Sequence, residues 1–221
     1  MDKSLEPATA AVAAVPDQRR RWPIVLAFVW MSAVLAGLFA LGQYASTPGI
    51  AGEPPQHWPR GTDLQLNPTG DTLVMFVHPH CPCTRASMTE LQRLMVHCTG
   101  RVTPWIVIYK PSTMASGWEQ TDLWNTAATI AGAHVISDLD GVEAGRFHAA
   151  TSGQTVLYDA EGKLQFSGGI TGARGHEGDN AGETAIEELV NAVNSECRQT
   201  PVFGCPIMPS PNSQQECLNG K

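Results

Sequence analysis

Apolar and polar residues follow three patterns along this chain, and each predicts a different kind of element. From Ile24 to Gly42 no charge interrupts the apolar run. At about 1.5 Å of rise per residue, a helix over that stretch spans a hydrocarbon core of roughly 30 Å. Leu73 to Val77 is a shorter continuous apolar run, which predicts a strand buried on both faces. Met88, Leu91, Leu94 and Met95 then recur at helical spacing and predict a helix from about Cys83 to His97. A second buried strand is predicted over Trp105–Tyr109, and a second helix through Leu123, Ala127, Ile130 and Ala131. Val135 and Ile136 read as a short strand, followed by a helical turn through Val142 and Phe147. Thr155–Tyr158 and Leu164–Ser167 flank the turn-rich Asp159–Lys163 as a β-hairpin. A glycine-rich loop, Gly168 to Gly182, leads to a final helix from about Glu183 to Glu196, marked by Ile186, Leu189, Val190 and Val193. The order β-α-β-α-β, hairpin, α predicts an α/β fold: a central mixed β-sheet flanked by helices on both faces.

The rest of the chain divides around that core. Residues 1–21 are Ala/Pro-rich and read as a disordered cytoplasmic tail. Arg19, Arg20 and Arg21 precede the long apolar run, so the positive-inside bias places the N-terminus in the cytoplasm and everything after Tyr44 outside. Residues 22–44 are then a transmembrane signal-anchor helix with Trp22 and Tyr44 at its interfaces. A cleaved signal peptide is the rival reading; its apolar region is usually only about 7–15 residues. The small residues Ala40, Gly42 and Ala45 keep cleavage open, and either way the globular part is exported. Residues 45–70, with Pro48, Pro54, Pro55, Pro59 and Pro68, read as a Pro/Gly-rich tether. The globular domain is expected over 71–197, with a Cys-containing tail over 198–221.

Charge and cysteine content narrow the function. A formal net charge of −7 without a basic patch excludes a nucleic-acid binder, which must neutralise phosphates. All six cysteines (Cys81, Cys83, Cys98, Cys197, Cys205, Cys217) lie on the exported side, where disulfides persist. Cys81-Pro82-Cys83 stands where the first predicted strand gives way to the first predicted helix. Unpaired amides and the positive end of the helix dipole stabilise a thiolate there, and the thiolate is the reactive form. Two sulfurs at that place point to redox or soft-metal chemistry, against a purely structural dithiol. His78 and His80 flank the pair; an imidazolium would lower a cysteine pKa, and neutral imidazole with thiolates suits copper or zinc.

With a dicysteine at its first strand-to-helix junction, the element order resembles the thioredoxin superfamily. Ile136–Gly141 and Val156-Leu-Tyr-Asp-Ala-Glu-Gly-Lys163 resemble the membrane-anchored, exported TlpA/ResA type, and the Gly168–Asn180 loop resembles a bacterial subgroup labelled RedB-like. The resemblance covers about residues 71–197 and implies a thioredoxin-like fold and thiol–disulfide oxidoreductase activity. It casts Cys81 as nucleophile and Cys83 as resolving thiol. Two departures stand out. The family's Cys-x-x-Cys is here Cys-Pro-Cys, whose smaller ring should be strained and comparatively oxidising. The family's cis-proline, in a loop that positions a partner chain and discourages metal binding, falls on Gly153 within Ala150–Gln154. A trans bond is expected at Gly153, because a cis peptide without proline costs about 2.5–4 kcal/mol.

In such a sheet the last strand runs parallel to the one carrying the cysteines, so the loop after it should emerge beside them. Arg174 and His176 could then hold a negative charge or tune a thiolate, and Glu177 could shuttle a proton; the plainer reading is a flexible loop capped by Asp179 or Asn180. The first and last helices should lie on one face, which suggests a structural Cys98–Cys197 disulfide, with Cys205–Cys217 stapling the tail. The rival is that Cys205 folds back as a third redox thiol. Trp105, Trp118 and Trp124 read as packing residues, and Asp138 and Asp140 as turn residues.

The chain is therefore expected to be a membrane-tethered periplasmic thiol–disulfide oxidoreductase. Its partners would be protein thiols or disulfides, with no cofactor, since the sulfurs carry the electrons. The alternative is a copper-binding protein using Cys81, Cys83 and one of His78, His80 or His176. A third reading, a tethered interaction domain with three structural bridges, would be insensitive to loss of Cys81.

Overall fold

In the computed structural model, which describes residues 21–193 and 195–208, six of the seven residues of β1 (Asp71–Val77) are buried. Its unbroken apolar run requires that of a strand covered on both faces. β2 (Val102–Lys110) pairs parallel to β1 on one side, and β3 (His134–Leu139) pairs parallel to β2. On the other side β4 (Gln154–Tyr158) runs antiparallel to β1, and β5 (Leu164–Gly168) runs antiparallel to β4. The order β3-β2-β1-β4-β5 is that of a thioredoxin-like fold. Two reversals make β5 parallel to β1, so the loop after β5 leaves the sheet at the end where β1 delivers the cysteines.

Alternation along the strands divides the core into two layers. Leu73, Met75 and Val77 face a cluster with Met88, Leu91 and Leu94 of α1 (Thr84–His97), Leu123 and Ala127 of α2 (Asp122–Ala128), and Ala185 and Ile186 of α4 (Ala181–Val190). Val74 and Phe76 face the other layer with Val107, Val156, Tyr158 and Phe147, the last at the end of the short α3 (Val142–Arg146). Asp138 opens α3, accepting the Glu143 and Ala144 amides at 2.8 and 2.9 Å. Asn180 rather than Asp179 caps α4, accepting the Glu183 amide at 2.9 Å. That helix ends at Val190, short of the expected Glu196, because Ala192 turns left-handed (φ 57°) and the Val193 amide donates back to Glu188.

Two expected boundaries move. The segment before β1 is not a free tether: Trp58 packs edge-on against Phe147 and Tyr158 (5.2 and 5.3 Å), Leu64 is buried, and the Tyr158 hydroxyl donates to Pro55 O. Its Pro/Gly content reads as extended chain, but Trp58, Leu64 and Leu66 supply apolar cover for a sheet face on which α3 is only five residues long. After α4, the chain to Met208 is no free tail either. Residues Arg198–Thr200 bond to Ser167 on β5, and Val202 and Ile207 are buried.

The chain divides into two units between Gln43 and Tyr44. The N-terminal helix, Trp22–Ser46, has no buried residue and is long and apolar enough to cross a membrane; a signal sequence passes the same test. The cytoplasmic tail expected over 1–21 lies, apart from Arg21, outside the described residues.

Candidate active site

β1 ends at Val77 and the chain turns tightly into α1. The Cys81 amide donates to His78 O (3.0 Å) and the Thr84 amide to Cys81 O (3.3 Å). Pro82 lacks an amide proton and Cys83 already has helical dihedrals (φ −68°, ψ −30°), so the dicysteine forms the entrance of α1. Cys81 is 2% exposed and Cys83 partly exposed.

Burial by itself would push the Cys81 pKa up. Hydrogen bonds from the Thr84 hydroxyl, the Cys205 amide, the Cys205 thiol and the Thr84 amide outweigh it, and the pKa falls below the usual thiol range. The Cys205 N–H lies 3.4 Å from Cys81 Sγ. A chain of hydroxyls orients the Thr84 bond. Ser152 Oγ accepts the His78 amide (2.8 Å), so its single proton is free for Thr84 Oγ1 at 2.7 Å. Thr84 is then left to donate to the sulfur. Both hydroxyls are fully buried, and the relay satisfies them.

The two neighbouring thiols are held protonated. Cys83 is raised by burial and by the charge on Cys81, against which Arg174 pulls it back. Cys205 is pushed up to about 12 by burial, by its bond to Cys81 and by the charges of Cys81 and Cys83. A thiol of lowered pKa with two thiols of raised pKa beside it is a competent arrangement for exchange. The thiolate attacks, and a neighbouring S–H supplies both the second sulfur and the proton for the departing thiolate.

The other residues singled out by sequence are dispersed. His78 and His80 lie against Trp118, their ring centroids at 5.8 and 4.5 Å, and burial followed by the nearby His80 lowers the His78 pKa. A neutral His78 brings no charge to the thiolate. Gly153 has φ +91°, a region that favours glycine, and its amide donates to Phe76 O; there is no cis peptide among the described residues. Arg174 stands beside Cys83, and its guanidinium also donates to Thr47 O and Gly204 O. His176 is exposed, and Glu177 turns to Thr89 and Arg93 of α1. Cys98 and Cys197 are free thiols rather than the expected bridge. Cys98 is buried in the apolar cluster, with its pKa pushed up to about 11, first by that burial. Cys205 sits on Cys81 as a free thiol and not in a tail staple; Cys217 lies outside the described residues.

Among the described residues, three metal-ligating atoms come within 4.8 Å of one another at His97, Glu183 and Glu187, and at no set that includes Cys81, Cys83, His78 or His80. Thr84 and Ser152 are functional residues that the sequence reading passed over. The signals were there: Thr84 is three residues from Cys81 at a helix entrance, where i and i+3 share a face, and Ser152 lies in the loop already set opposite the cysteines.

No family profile matches the chain, and no curated protein does. Solved structures do match. An uncharacterized conserved protein from Geobacillus kaustophilus superposes with a TM-score of 0.53 at 19% identity, covering 75% of this chain and 94% of that one. A hypothetical protein from Sinorhizobium meliloti 1021 gives 0.53 at 20%, covering 73% and 93%. A thioredoxin-like protein solved in its oxidised form gives 0.41 at 17%, covering 67% and 93%. At such identities the first two likenesses are of fold alone.

Proposed function

We propose that this chain is a thiol–disulfide oxidoreductase of the membrane-anchored TlpA/ResA type, with RedB-like character in its Gly168–Asn180 loop. It is tethered to the bacterial inner membrane by Trp22–Ser46 and acts in the periplasm on protein thiols or disulfides. The observation that carries the reading is Cys81 buried at the mouth of α1, its pKa lowered by hydrogen bonds from Thr84 and Cys205, with the Cys83 and Cys205 thiols beside it. The Cys81 thiolate attacks a partner disulfide, forming a mixed disulfide and releasing one partner thiolate. Cys83 then attacks Cys81 Sγ, its proton passing to the second partner sulfur as that leaves. The partner gains two electrons and the Cys83 proton, its first thiolate takes up a second proton from water, and the dithiol becomes a disulfide; run backwards, the same steps oxidise a partner.

A copper carrier would need Cys81, Cys83 and a histidine to converge on one ion, and the packing of His78 and His80 on Trp118 does not favour that. The test equilibrates the full chain in detergent across glutathione redox buffers, alkylates free thiols and maps them by mass spectrometry. Cys81 is expected to pass reversibly between free and disulfide-bonded at a defined potential, and Cys81→Ser to abolish disulfide reduction. A Cys81 that stays free, or stays oxidised under strong reductant, refutes the reading.

A further inference from the structure

Beyond the Cys-Pro-Cys pair, the segment Gly204–Ile207 lies across the loop that faces Cys81. The Ser152 amide donates to Cys205 O (2.8 Å), the Ile207 amide donates to Ala150 O (2.9 Å), and Thr151 and Pro206 form an antiparallel bridge. The approach is close enough that a Cβ on Gly204 would stand 1.9 Å from Ser152 O. Arg174 donates to Gly204 O, and the Gly49 amide donates to Val202 O, fixing the segment from its other side. Backbone pairing on both flanks therefore sets Cys205 directly on Cys81, its amide 3.4 Å from the sulfur.

We propose that Cys205 is a third redox thiol of this centre and that the disulfide at Cys81 passes from Cys83 to Cys205. The inference rests on the oxidoreductase reading above. The Cys205 sulfur, as thiolate, attacks Cys81 Sγ in the Cys81–Cys83 disulfide; a Cys81–Cys205 bond forms, the Cys81–Cys83 bond breaks, and Cys83 leaves and takes up the proton that Cys205 gave. No electrons enter or leave in this step. Two observations give it direction. A Cys81–Cys83 disulfide would close a small ring, whose strain should make it the more oxidising of the two bridges. Cys205 lies 124 residues away along the chain, so its bridge closes no small ring, and docking already holds it in contact. Oxidation that begins at the Cys81–Cys83 pair therefore settles at Cys205 and returns the partly exposed Cys83 to its free form.

The test uses the full chain in detergent with Cys217→Ser, which leaves Cys205 as the sole cysteine of the 199–221 tryptic peptide; Cys81 and Cys83 share peptide 61–85. After equilibration with oxidised glutathione, alkylation and digestion, the expected product joins peptide 61–85 to 199–221. It should persist when Cys83→Ser is added. Adding Cys205→Ser instead should abolish it, leaving a Cys81–Cys83 disulfide with a more oxidising potential. If the Cys83→Ser chain keeps Cys81 and Cys205 free while the chain with Cys83 forms its internal disulfide, this proposal falls and the Cys81–Cys83 reading survives. If none of these chains oxidises at Cys81, both fall.

Discussion

Thr84→Val removes the hydroxyl that donates to Cys81 while keeping the shape of the side chain. A hydrogen bond to a charged group contributes about 1.5–3 kcal/mol. At about 1.4 kcal/mol per factor of ten, its loss lowers the thiolate fraction of Cys81 roughly ten- to a hundredfold at a pH below the pKa. The sulfur that remains is more basic and therefore intrinsically more nucleophilic, with a Brønsted coefficient of about 0.4–0.5. About half of the logarithmic loss is recovered, so the alkylation rate of Cys81 at neutral pH should fall roughly three- to tenfold. The Ser152 proton also loses its acceptor in a fully buried place, which should lower stability by about 1–3 kcal/mol. The assay follows alkylation of each cysteine against time and pH by mass spectrometry, with the profile of Cys81 displaced to higher pH in the variant. An unmoved profile for Cys81 in a folded Thr84→Val chain would sink the idea that the Ser152–Thr84 relay sets its reactivity.

Two further predictions concern stability and access. The Glu183 carboxyl, raised to about 7 from an ordinary 4.5 by burial and then by the carboxyl of Glu90, binds more protons folded than unfolded between those values. Its stabilising effect is therefore complete below about pH 4.5 and is lost as pH rises through about 7. Glu183→Gln, whose amide can donate to the buried and unpartnered Glu90 Oε2, should narrow the gap between melting temperatures at acid and mildly alkaline pH; an unchanged gap counts against it. Gly204→Ala cannot keep the segment on Ser152 and should release two backbone bonds of about 1 kcal/mol each, raising the open fraction roughly thirtyfold. A bulky maleimide should then label Cys81 faster by a similar factor, and equal labelling of the two chains would show that the segment does not cover it.

The sequence was legible wherever periodicity and burial carry the same message. β1 and β2 announce themselves because strands covered on both faces are largely apolar, and the hairpin does so through its turn-rich Asp159–Lys163 connection. The cysteines at the mouth of α1 follow from those boundaries, and the emergence of the Gly168–Gly182 loop beside them follows from the direction of β5. What stayed hidden is held by other means. The segment 198–207 docks through backbone amides and carbonyls, which leave no pattern in side-chain type, and through Val202, Phe203 and Ile207, too few and too irregularly spaced to show a period, while its prolines and glycines look the same in a free tail. Trp58, Leu64 and Leu66 carried a readable apolar signal, but they are spaced too irregularly to suggest any element. His78 and His80 show the opposite error: their nearness in sequence to two thiols suggests a ligand set, whereas Trp118 draws both rings to itself.

Because the segment that covers Cys81 belongs to the same polypeptide, it competes for the site at a fixed effective concentration that dilution cannot lower. If the chain acts on partner proteins as proposed, each would meet a closed door whose opening is first order. Its reaction rate should rise with concentration only until it reaches the rate at which Gly204–Ile207 lifts, and should then saturate there whatever the partner. The amides of Ser152 and Ile207 are released in that same motion, so their hydrogen exchange would count the openings independently of any chemistry at sulfur.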